Sequence, residues 1–230
     1  MNALDLSTIR AVVFDTDGVV TDTARVHAAA WKHVFDAFLR SRGLPPFDVR
    51  EDYLRYVDGR SRMDGIRTFL ASRDISLDEA GVLALAAAKD ALFVAEVARH
   101  GVASFPSTVA LLYELRRRGS RTAVVSASKH CREVIASAGL THLFDVLVDG
   151  NARLPGKPDP ALFLEAADRL GVPPARCAVV EDAVPGVEAG LAGGFGLVIG
   201  VDRQHTGLFM AAHLVVADLA ELTLTGKVPA

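Results

Sequence analysis

Cysteine is almost missing from this sequence. Cys131 and Cys177 are the only two in 230 residues, with no CxxC pair and no Cys/His cluster beside them. That excludes a disulfide framework and a zinc site of the usual spacing, and leaves two reduced thiols that pack. Aromatic residues are scarce at 7%, so the 50% hydrophobic content rests largely on Ala, Val and Leu, which suits close packing of helices on a sheet and is ample for a core. An excess of positive charge is missing too. The formal net charge of −3 gives no basis for a nucleic-acid partner, so an anionic ligand must be held by locally placed cations. No apolar run approaches the roughly 18 residues that span a bilayer. The segment from Met1 to Arg10 carries acids and lacks an apolar stretch, so no signal peptide and no membrane partner are expected. The expectation is a soluble, cytoplasmic monomer.

What is present is a rhythm. Short apolar or β-branched runs at 11–14, 122–125, 146–148, 178–180 and 197–199 read as strands. Amphipathic segments at 107–118, 129–138, 160–170 and 183–192 read as helices between the later strands. Strands without polar alternation, alternating with helices, predict a doubly wound parallel sheet covered on both faces. From about Thr23 to His100 the rhythm breaks. Helical patterns at 26–42, 63–72 and 77–99, with Gly43 to Pro46 as a loop, predict a helical insert directly after the first strand. Such an insert would lie over the carboxyl edge of the sheet, where open α/β sheets bind ligands.

Four strand ends carry polar residues that matter. The first, Val12-Val-Phe-Asp-Thr-Asp-Gly18, delivers Asp15 and Asp17, two apart and therefore on one side of an extended chain, with Gly18 permitting a tight departure. The second, Thr122 to Lys129, ends a strand in Ser126 at a helix start, which suits a phosphate cradle and equally an ordinary N-cap. The third fixes Lys157 in the proline-bounded turn Gly156-Lys-Pro-Asp-Pro160. The fourth brings Glu181 and Asp182 to the end of Val179-Val-Glu-Asp182. Oxygen ligands of this kind suit hard cations such as Mg²⁺.

Asp/Asp, Ser, Lys and Glu/Asp in this order resemble the four motifs of the haloacid dehalogenase superfamily across nearly the whole chain. Within it, the segment from Asp17 through Thr23 to His27 and Trp31-Lys32, the Gly59-Arg-Ser-Arg62 loop, Lys89 and the Ser126-Ala-Ser-Lys129 string resemble the β-phosphoglucomutase subgroup. The resemblance implies a Rossmann-like core from 1–22 and 101–230, and a helical cap from 23–100. It implies Asp15 as phosphoryl-accepting nucleophile, Asp17 as general acid/base of higher proton affinity than Asp15, and catalytic roles for Ser126 and Lys157 around the transferring oxygens. It implies Mg²⁺ held by Asp15, Asp17 through its backbone carbonyl, Glu181 and Asp182. His27, Trp31, Gly59, Arg62, Lys89, Ala127, Ser128 and Lys129 would bind the sugar phosphate, with Arg62 on the non-reacting phosphate.

The implied reaction is interconversion of β-glucose 1-phosphate and glucose 6-phosphate, with glucose 1,6-bisphosphate as intermediate and activator. A sugar-phosphate phosphatase, using the same aspartates but water as acceptor, is the nearest rival. By the same resemblance, phosphonoacetaldehyde hydrolysis fits less well, because that enzyme's cap supplies a Schiff-base lysine and its core lacks the second aspartate. Dehalogenation fits less well because Asp17 and the metal-binding acids have no role there. A catalytically silent binding module does not explain why every core position is filled. Two departures stand out. Thr16 occupies a position usually large and apolar, and Asp58 precedes Gly59 where relatives often carry lysine, a cation that Arg60 could replace.

Overall fold

The computed structural model describes residues 2–228. Six parallel strands form the main sheet in the order β4-β3-β2-β5-β6-β7: β2 (Ala11–Asp15), β3 (Arg121–Val125), β4 (Val146–Val148), β5 (Cys177–Glu181), β6 (Leu197–Val201) and β7 (Leu214–Val216). Two shorter strands, β1 (Ala3–Asp5) and β8 (Thr223–Thr225), pair with each other in parallel. Helices α4 (Pro106–Arg117), α5 (Cys131–Ser137), α6 (Ala161–Leu170) and α7 (Val184–Ala192) connect the strands. The predicted α/β class and doubly wound sheet are what is observed.

Period-two alternation shows why this sheet is buried on both sides. In β2, Val12 and Phe14 join one apolar cluster while Ala11 and Val13 join the other. In β5, Ala178 and Val180 face the first, Cys177 and Val179 the second. Continuous apolar strands are what a two-sided burial demands.

Between β2 and α4 lies the insert: α1 (Ala24–Arg40), a π-helical turn (Tyr53–Val57), α2 (Arg62–Ser72) and α3 (Glu79–His100). It has its own apolar cluster, into which the scarce aromatics are concentrated. Phe35 packs 5.1 Å from Phe47 and 4.3 Å from Phe69, ring centre to ring centre. Each ring so buried stabilises the insert by about 1.5–3 kcal/mol relative to exposure. Ser61 caps α2 by accepting the Asp64 N–H, and Asp78 caps α3 by accepting the Gly81 N–H.

Three strands, β1, β7 and β8, are additions to the sequence reading. Each is three residues long, too short for its alternation to be read. Helix α5 begins at Cys131, two residues later than its sequence pattern, because the Ser128 hydroxyl accepts the His130 N–H and keeps Lys129 and His130 in a turn. Among the described residues no helix is long and apolar enough to cross a membrane.

Candidate active site

The chain runs from β2 outward through β3 and β4, then returns to place β5 on the other side of β2. That reversal is the switch point where the carboxyl ends of neighbouring strands splay and leave a crevice. The register sets Phe14 beside Val180, so Asp15 and Glu181 follow as neighbours at the crevice floor. Lys157, from the turn before α6, is fully buried and donates to both carboxylates. Burial alone would lower the Lys157 ammonium, but Asp15 and Glu181 outweigh it and keep it charged. Asp182 lies one residue beyond Glu181, and oxygens of Asp15, Glu181 and Asp182 lie within 4.8 Å of one another. Burial, opposed by Lys157 and reinforced by Glu181 and Asp17, pushes the Asp15 carboxyl well above the usual range. Asp182 is pushed up by burial, then by Asp58, Glu181 and Asp15. Three acids gather here around one lysine that bonds only Asp15 and Glu181. Gly18, at φ +88°, keeps the space free, since a Cβ there would run into the Asp182 carboxylate.

Asp17 points elsewhere. Its carboxylate accepts from Thr23 and, at 3.1 Å, from the Ser126 hydroxyl. Ser126 in turn accepts the Ser128 N–H at 3.0 Å, which shapes the turn after β3. Thr16, between the two aspartates, is fully buried and donates to the Val125 carbonyl at 3.0 Å, with Cys131 Sγ 3.1 Å away. A polar residue is therefore tolerated at this apolar position because β3 and α5 supply its partners.

From the insert, His27 Nε2 approaches Asp17 Oδ1 to 3.3 Å without the alignment of a hydrogen bond. Its Nδ1 lies 2.6 Å from Lys89 Nζ, so the lysine donates and the ring carries its own proton on Nε2, facing Asp17. Burial lowers Lys89 to about 7, and burial together with Lys89 keeps His27 below its ordinary value. Burial acts to raise Asp17, but His27, Thr23 and Lys89 outweigh it and hold the carboxyl well below the usual range. The protein's own groups thus push Asp15 up and hold Asp17 down, whereas the sequence-based order of the two presumes a cation beside Asp15. The physical reason is that His27, Thr23 and Lys89 close onto Asp17, whereas at Asp15 burial and the neighbouring acids outweigh Lys157.

One cavity of about 510 Å³ gathers these groups. Of the residues singled out from sequence, Asp15, Asp17, His27, Trp31, Gly59, Arg62, Lys89, Ser126, Ala127, Ser128, Lys129 and Asp182 line it. Lys157 and Glu181 stand buried behind Asp15. Gly59, at φ +69°, lets the insert approach the loop after β5, where a Cβ would come within 2.8 Å of Ala183. The Asp17 side chain stays outside the carboxylate cluster, so a metal-holding part for Asp17 falls to its backbone. Sequence reasoning missed Tyr53 and Asp90, which line the cavity, and His130, which bonds Asp90; no motif marks them.

Asp58 also lines the cavity. Burial, then Glu181, pushes its carboxyl up to about 7. The folded chain therefore takes up a proton at Asp58 more readily than the unfolded chain, and loses stability as pH rises through about 7. Asp58→Asn, measured in EDTA, is expected to melt above the wild type at pH 8, with the advantage fading as pH falls towards the ordinary carboxylate value of 3.8. A difference that does not change with pH would remove Asp58 from this account.

Comparison with known proteins agrees with this geometry. The model of the family described as haloacid dehalogenase-like hydrolase matches residues 9–194. A β-phosphoglucomutase of Mycobacterium bovis is 40% identical, the match covering 93% of this chain and 91% of that protein. Hexitol phosphatase A of Escherichia coli is 28% identical, with 94% of each chain covered. The crystal structure of a β-phosphoglucomutase from Clostridium difficile superposes with a TM-score of 0.79 at 27% identity, covering 94% of this chain and 93% of that one. Paired aspartates at the end of β2, a buried lysine and an acid pair at the switch point, all beneath a helical insert, are accounted for together: the chain belongs to the haloacid dehalogenase superfamily, in its β-phosphoglucomutase-like subgroup.

Proposed function

We propose that this enzyme is a magnesium-dependent β-phosphoglucomutase, interconverting β-glucose 1-phosphate and glucose 6-phosphate through an aspartyl-phosphate on Asp15. One observation carries the reading: Asp15, Asp17 and Ser126 of the core share a single cavity with Arg62 and Lys89 of the insert. Chemistry on one phosphate and a grip on another need both sets.

The donor set suits a hard divalent cation, because three carboxylates converge within 4.8 Å and two of them are pushed towards protonation by burial and then by neighbouring acids. Asp15, Asp182, Glu181 and the Asp17 backbone carbonyl would hold Mg²⁺, whose charge would keep Asp15 ionised and offset charge on the transferring oxygens. Asp17 is ionised at neutral pH and so starts as a base. It takes the proton of the sugar hydroxyl that attacks phosphorylated Asp15, then returns a proton to the oxygen that leaves when the bisphosphate, reoriented, rephosphorylates Asp15. Lys157, the Ser126 hydroxyl and the Ala127 N–H would hold the phosphoryl oxygens. Arg62 would take the non-reacting phosphate, with Ser128 and Lys129 beside it, while Trp31 walls the sugar. Glucose 1,6-bisphosphate is then both intermediate and activator. Residues 23–100 would act as a cap that excludes water from the aspartyl-phosphate. A monomer in the cytoplasm suits two free, buried cysteines.

A phosphatase of sugar phosphates is the second reading, favoured by Asp58, which puts an acid where a cation would help hold a second phosphate. A coupled assay with β-glucose 1-phosphate, Mg²⁺ and catalytic glucose 1,6-bisphosphate separates the two. Glucose 6-phosphate is expected to form with little free phosphate; phosphate without isomerisation would leave the phosphatase.

A further inference from the structure

At the edge of the cavity, an arginine and a histidine from different parts of the molecule meet on one oxygen. Arg62 Nη2, from α2, lies 2.5 Å from Asp90 Oδ1, and His130 Nε2, from the loop after β3, lies 2.7 Å from the same atom. Arg62 Nη1 donates to the Ala86 carbonyl on α3 at 3.3 Å, so the guanidinium is turned towards α3. The Asp90–His130 bond ties the insert to the core at this edge, far from the junction at β2 where Arg25 bonds Asp22 and Thr23 bonds Thr21. All three side chains are about a quarter to a third exposed.

Arg62 and His130 therefore form a slot that takes an anion, and Asp90 supplies that anion from within the chain. A guanidinium fork beside an imidazole also fits phosphate, which offers more acceptor oxygens than a carboxylate. An ion pair this exposed is weak enough for a ligand to open. We propose that Asp90 is a specificity-determining residue: its carboxylate fills the place of the substrate's non-reacting phosphate and gives it up only to a ligand that brings further contacts. The inference rests on the reading of Arg62 as the second phosphate grip. A sugar phosphate anchored against Trp31 and the core displaces Asp90, whereas inorganic phosphate, lacking a sugar, is held off. Because the slot joins α2, α3 and the core loop, exchange of one anion for another keeps the insert seated on the sheet.

Calorimetric titration with inorganic phosphate tests this without any turnover. Asp90→Asn and Asp90→Ser are each expected to bind inorganic phosphate about fivefold more tightly than the wild type, the size of one weak ion pair released. The gain should vanish in an Arg62→Ala background, which separates this slot from the phosphoryl site at Ser126 and Lys157. In steady state, KM for β-glucose 1-phosphate should fall while kcat does not rise. Weaker phosphate binding in both Asp90 variants would overturn the proposal and make Asp90 a prop that orients Arg62. A gain that survives in Arg62→Ala would overturn it as well. If no variant isomerises β-glucose 1-phosphate yet the Arg62-dependent gain is seen, the slot stands and only the choice of sugar phosphate falls.

Discussion

Asp15→Asn is expected to abolish phosphoryl transfer, with kcat reduced at least about 10⁴-fold, while the fold is retained. The amide has the shape of the carboxylate and can still meet Lys157, so the floor of the crevice need not rearrange. What disappears is the nucleophilic oxygen. Asp17→Asn supplies the contrast. Its nucleophile is intact, and the loss is that of proton transfer, about 10²–10⁴-fold. Incubation with labelled glucose 1,6-bisphosphate distinguishes the two: Asp17→Asn should still acquire some label at Asp15, slowly, and Asp15→Asn none. Label on a different residue in Asp15→Asn would end the assignment of the nucleophile. The order of proton affinities bears on this test. Asp17 is held ionised by His27, Thr23 and Lys89, which favours removing a proton from an attacking hydroxyl, whereas labelling from the bisphosphate needs a proton donated to the leaving oxygen.

The core was legible because its signals are local. An apolar strand ending in Asp15 and Asp17, and another ending in Glu181 and Asp182, state both the sheet and its reactive edge, and parallel strands buried on both faces have a simple pattern. Helix ends agree within two residues because caps such as Asp78 stand next to the periodic segments. What could not be read was whatever depends on the insert's position over the sheet. Lys89 stands on a helical segment in sequence, and only the fold buries it against His27, from where both act on Asp17. Thr16 reads as a misfit until the Val125 carbonyl and Cys131 are beside it. Asp90 has no motif at all; only the tertiary fold brings Arg62 and His130 to one of its oxygens. Pairings so distant along the chain carry no periodic trace.

Lys157→Met tests the crevice as an electrostatic unit. Methionine fills a similar volume but leaves Asp15 and Glu181, both buried, without their shared cation. Removing one partner of a buried ion pair typically costs about 3–5 kcal/mol, because the other charge is left uncompensated. The loss should depend on pH in a definite direction. Lys157 itself has its affinity raised by folding, so its contribution is complete at all pH values below its ordinary value of 10.5 and does not vary across the working range. The variation comes from the acids. Asp15 is already raised in the wild type, and Lys157 is the main group holding it down. Without the lysine, the folded variant binds protons more readily than the folded wild type. Denaturation in EDTA should therefore show a large deficit at pH 8 that narrows steadily towards pH 5. Added Mg²⁺ at pH 8 should narrow it too, by restoring positive charge to the same acids, although activity should stay low because an oxygen-holding ammonium is gone. A deficit equal at both pH values and indifferent to Mg²⁺ would mean that Lys157 matters here for packing against Phe163, 4.9 Å from its Nζ to the ring centre, and not for charge.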